Sequence, residues 1–179
     1  AREEDTTKLR QEKEKEKDLQ AKQGATAKLE QEREKEKQLL AKQDAAGRDA
    51  VRALKKLQAR TRVGVAYRDY SSAVAEAKLD VETYVESSAA KKKPEFAARL
   101  GQALSDYETA NKVWSLKFGS GSVTQWIFFK DIESALIQKY PGMDAARQNG
   151  NIRIDFALPV IWSSASNHIS EASNMIDSE

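Results

Sequence analysis

From Val63 onward, apolar residues recur at alternating intervals of four and three: Val63, Tyr67, Tyr70, Val74, Ala77, Val81 and Tyr84. That spacing predicts one buried face of a helix. Leu54 and Leu57 lead into it, and no proline intervenes before Pro94, so the predicted helix covers 48–87 and continues from the segment before it. SSAAKKKP at 87–94 predicts a turn. Pro94 suits the first position of the next helix, where its missing N–H costs nothing. This second helix, over 94–118, should bury Phe96, Leu100, Ala103, Leu104, Tyr107, Ala110, Trp114 and Phe118.

GSGS at 119–122 is a flexible connector. A third helix is predicted over 123–140, with Trp126, Phe129, Ile132 and Leu136 inward and Pro141 with Gly142 ending it. NIRIDFA at 151–157 alternates like a strand, but no other segment reads as its partner, so the expectation is a short extended passage. Leu158, Trp162, Ala165, Ile169, Ala172 and Ile176 form one stripe and predict a fourth helix over 159–177.

The first 47 residues follow another pattern. KLRQEKEKEKDLQAKQ at 8–23 is repeated as KLEQEREKEKQLLAKQ at 28–43, with 12 of 16 positions identical. A twenty-residue period is about 5.5 turns, so Leu9, Leu19, Leu29 and Leu39 do not line one face. A heptad reading from Leu9 puts Glu12 and Glu16 where a coiled coil needs apolar residues. Helix propensity still favours a helix, because Lys, Glu, Gln, Ala, Leu and Arg fill the segment. The predicted architecture is all-α: a charged helical arm over 1–47 continuing into a small antiparallel bundle of about four helices over 48–179.

Charge adds one local feature. The 179 residues carry 30 basic and 28 acidic side chains, yet 48–62 holds six basic residues and one acidic. Arg48, Arg52, Lys56 and Arg60 recur every four residues and form a ridge on a helix, with Lys55 and Arg62 beside it. Such a ridge is a candidate anion- or partner-binding surface, for phosphates, anionic lipid or an acidic polymer, or it pairs with carboxylates of the bundle or a second copy. No aromatic residue interleaves it, which argues against single-stranded nucleic acid. Lys91, Lys92 and Lys93 read as a solvated turn.

Candidate chemistry is sparse. There is no cysteine, which excludes disulfides and thiolate chemistry. No run of about eighteen apolar residues provides a transmembrane segment. The start at Ala1 fits a processed export precursor, so the location leans towards a bacterial periplasm or cell envelope, and it fits a trimmed chain equally. His168, the only histidine, has Glu171 as its nearest acid in sequence and reads as a surface residue at the edge of the helical seam. Glu76 and Asp80 share a helix face, whereas Asp131 and Glu133 do not. No phosphate-binding glycine loop, GxSxG or HExxH is present.

The expectation is therefore no enzyme, no cofactor and no metal. The leading reading is a structural or protein-interaction module whose charged arm is a spacer or assembly element, with a protein partner or a second copy of the chain. One alternative is binding of an anionic polymer or lipid through the basic ridge. Another is a small-ligand carrier with an aromatic pocket around Trp126, Phe128 and Trp162.

Overall fold

The computed structural model describes the backbone over residues 2–121 and 125–177, with side-chain surroundings from 28 onward apart from 119–121 and 177. Two compact units divide the chain, Ala1–Lys42 and Gln43–Glu179. Six α-helices occur among the described residues: α1 (Arg2–Val63), α2 (Tyr67–Val85), α3 (Ser88–Lys92), α4 (Pro94–Ser115), α5 (Lys130–Lys139) and α6 (Ile154–Asp177). Three short strands accompany them: β1 (Trp126–Ile127), β2 (Arg147–Gln148) and β3 (Asn151–Arg153). The protein is all-α.

In the first unit α1 is exposed on every side over residues 28–42. All side chains from 28 to 42 are exposed, including Leu29, Leu39 and Leu40 at 50%, 54% and 43%. Its residues are strong helix formers, and Glu–Lys pairs three apart add a few tenths of a kcal/mol each.

In the second unit, the end of α1 turns a face inward through Ala50, Val51, Leu54 and Leu57, all buried. Gly47 lets this stretch approach α2 and α4, since a Cβ there would lie 3.0 Å from the Tyr84 ring and 3.2 Å from Phe96. Gly47 lies against Tyr84 near the end of α2 and Gln43 donates to Ser88 just beyond it, while the end of α1 leads directly into the start of α2, so α1 and α2 run antiparallel. Lys78 reaches Glu108, and Tyr84 meets Phe96, so α4 is antiparallel to α2. Arg99 reaches Glu171, and Lys117 reaches Asp155, so α6 is antiparallel to α4. The result is an up-down-up-down four-helix bundle.

An aromatic cluster locks α2, α4 and α6 together. The Tyr70 hydroxyl donates to the carbonyl oxygen of Tyr107 at 2.9 Å and accepts from Trp162 Nε1 at 3.1 Å. The Tyr70 ring lies 5.4 Å from Trp114 and 5.8 Å from Trp162, and the two indoles are 5.8 Å apart. Burial pushes the Tyr70 and Tyr107 hydroxyls well above the usual tyrosine range.

Several sequence expectations change. The helix expected over 48–87 is broken: α1 stops at Val63, Gly64 takes a left-handed φ of 87°, and α2 starts at Tyr67. Gly64 ends the helix as glycines do at helix C-termini, with Arg60 and Arg62 favoured in the last turn. Val63, placed in the seam by its spacing, is 86% exposed. The expected turn at 87–94 contains α3, whose first turn is capped by Ser87 accepting from the Ala90 N–H. α4 ends at Ser115, and a 3-10 turn over Leu116–Gly121 replaces its last predicted residues. Phe118 is 53% exposed there.

The helix expected over 123–140 is shortened to α5. Its predicted start at Val123 lies outside the described residues, Trp126 and Ile127 form β1, and Phe129 is 61% exposed. The strand in NIRIDFA does have partners: β3 is central in the order β1-β3-β2, antiparallel to both. Asn149 and Gly150, with φ of 52° and 82°, make the two-residue hairpin between β2 and β3, a turn for which Asn-Gly is the strongest short signal. The strand ends at Arg153, and α6 begins at Ile154 rather than 159, with Pro159 inside it.

Candidate functional site

The basic ridge divides between two places. Arg52, Lys56 and Arg60 line one wall of a shallow groove of about 220 Å³, and Glu76 and Asp80 of α2 line the other. Arg52 pairs with Asp49 at 2.7 Å. Among the described residues, Lys55, Lys56 and Arg60 have no carboxylate within 4 Å. The acids across the groove therefore act through solvent, where each pair is worth little. Lys55 and Arg62 are exposed and lie outside that groove.

Arg48 belongs to a second and larger groove, of about 960 Å³, at the end of the bundle where α1, α2, α3, α4 and α6 meet. Its apolar surface comes from Tyr84, Phe96, Met175 and Ile176, with Gly47 between them. Lys92, Lys93, Asp44, Glu95 and Glu171 stand around it. No sequence signal marked this groove, because its residues come from five segments whose proximity depends on the bundle being formed.

The aromatic candidates have separate surroundings. Trp162 is part of the Tyr70 cluster. Trp126 lies on the outer face of the small sheet, with the Arg153 guanidinium 5.7 Å from its ring and 4.5 Å from that of Phe156. Phe128 is 60% exposed.

A polar cluster that sequence reasoning missed joins α4, α5 and α6. Asp106 is 1% exposed; its Oδ1 accepts from Tyr140 Oη at 2.8 Å and from Lys139 Nζ at 2.9 Å. His168 Nε2 is 3.8 Å from Asp106 Oδ2, and its Nδ1 is 3.8 Å from Glu171, which pairs with Arg99 at 2.9 Å. The histidine read as a surface residue is therefore only 23% exposed and faces a buried acid. The signal was Asp106 itself, an acid adjoining the buried stripe of Ala103, Tyr107 and Ala110. Burial opposes the charge on Lys139, but its hydrogen bonds to Tyr140 and Asp106 prevail and raise its pKa. With Asp106 so closed off, the cluster is suited to fixing helices rather than meeting a substrate.

Glu133 makes a second tie. Its carboxylate accepts from Lys130 Nζ at 2.8 Å and from the Ile152 N–H at 2.9 Å, fastening α5 to β3. The side chain is covered but shallow, so the Lys130 hydrogen bond outweighs desolvation and holds its pKa below the ordinary value. Among the described residues, no group of three or more His, Asp or Glu side chains could hold a metal ion, and no helix is long and apolar enough to cross a membrane.

No family model matches the chain. Comparison with curated proteins and with solved structures likewise found no match.

The lowered Glu133 pKa sets a direction for pH dependence. Its contribution is complete above the unfolded value near 4.5 and is lost as pH falls through the lower folded value. Glu133→Gln should cost about 1 kcal/mol at pH 7, and the cost should shrink as pH falls below 4.5, read from urea unfolding. A cost independent of pH would mean that the Lys130 charge contributes nothing.

Proposed function

We propose that the protein is a non-enzymatic structural or interaction module, in which the charged part of α1 serves as a spacer or assembly element for the bundle. The observation that carries this reading is the polar surface of α1 over 28–42, exposed on all sides. A helix polar all round either bridges bodies through solvent or is steadied by something outside itself. Isolated helices are marginal in water, and most helical stability in proteins comes from packing an apolar face. The partner is a protein or a second copy of this chain. From Arg2 to Lys42 the helix rises about 60 Å, a useful reach for a spacer.

Sedimentation equilibrium over a range of protein and salt concentrations tests the self-assembly form of this proposal. A dimer or trimer that weakens with salt is expected if the charged helices pair with each other. A monomer throughout removes the second copy as the partner and leaves a different protein, to be sought with residues 1–62 as bait.

A second reading is supported by the exposed cations of the ridge: the second unit binds an anionic polymer or lipid surface through Arg52, Lys56 and Arg60. Against it stand Glu76 and Asp80 on the facing wall. The reading requires salt-sensitive retention on heparin that falls when those three residues become glutamine. Retention unchanged by the substitutions would exclude it.

A further inference from the structure

Two basic features far apart in sequence meet at one groove. Arg48 begins the ridge on α1, and Lys92 belongs to the lysine triplet before α4; both line the groove at the end of the bundle. Neither has a carboxylate within 4 Å among the described residues. Two of the acids in the same wall are already engaged, Asp44 with Lys93 at 3.5 Å and Glu171 with Arg99 at 2.9 Å. Glu95 alone opposes the two free cations, so the charge available to a ligand is positive.

Below this rim the groove is apolar. Tyr84 and Phe96 meet edge to face with centroids 5.2 Å apart, and Met175 and Ile176, both half-buried, supply flexible aliphatic surface. Gly47 keeps the floor open, since a larger residue would press on the Tyr84 ring. The volume of about 960 Å³ lies at the upper end of the range for small-molecule sites. Its apolar length and basic rim suit a flexible chain with an acidic end.

We infer that this groove binds an anionic amphiphile, with the aliphatic chain along Phe96, Met175 and Ile176 and the acidic head between Arg48 and Lys92. The chain contributes by leaving water. The head gains charge-assisted hydrogen bonds and, because the cations are exposed, adds selectivity more than affinity. This site is distinct from the charged stretch of α1 on which the assembly proposal rests, and either can fail without the other.

Isothermal titration of the full chain with decanoate and decyl sulfate, below their micellar concentrations, tests the inference. Saturable one-to-one binding is expected, with decyltrimethylammonium at least about tenfold weaker. Arg48→Glu combined with Lys92→Glu, both at exposed positions, should weaken decyl sulfate about tenfold or more while leaving the circular dichroism unchanged. Met175→Trp, which fills the groove, should weaken anionic and neutral decyl ligands together. Flotation with phosphatidylglycerol vesicles separates sources: failure to float alongside decanoate binding identifies a free amphiphile, and flotation lost in the double variant identifies a membrane lipid. Absence of saturable binding, equal binding of the cationic amphiphile, or a double variant indistinguishable from the parent would each overturn the inference.

Discussion

The bundle depends on the Tyr70 hydroxyl having two partners from two different helices. Tyr70 has no exposed surface, and leaving its buried hydroxyl unpaired would cost about 1–3 kcal/mol. Here the Tyr107 carbonyl of α4 and the Trp162 indole of α6 do so at once. The same two hydrogen bonds fix the registers of α2, α4 and α6. Trp114 fills the space between them. Once these registers are set, the far end of the bundle follows: Tyr84 comes against Phe96, and α6 reaches back to Arg48 and Gly47. The apolar groove is thus a consequence of a lock formed at the other end.

α1 shows two behaviours within one helix. From Ala50 to Leu57 it turns an apolar stripe inward, and its stability comes from packing. From 28 to 42 its leucines stand in solvent at about half exposure among Glu and Lys. The basic ridge lies on the solvent side of the packed stretch, and its charges fall at the seams with neighbouring helices. One seam offers α2 carboxylates, and the other offers the rim of the groove.

The bundle helices were legible because their apolar spacing is long and regular, and most of the stripe from Tyr70 to Tyr84 is buried as its period requires. The break at Gly64 was not foreseen, because the stripe runs on in phase across it and only the glycine's left-handed conformation ends the helix. The small sheet was missed for a different reason. Its strands are two or three residues long, too short for periodicity, and only Asn149-Gly150 announced the hairpin. Asp106 was marked by its place beside the buried stripe of α4, but its partners, like the residues of the groove, come from helices distant in sequence that no spacing rule brings together.

α1 receives its tertiary support only where its apolar stripe is buried. Hydrogen exchange along α1, measured at a concentration where the chain is monomeric, tests this directly. Amides between 50 and 57 should exchange as slowly as those of α4, while those between 28 and 42 exchange orders of magnitude faster. Equal protection along both stretches in the monomer would contradict it.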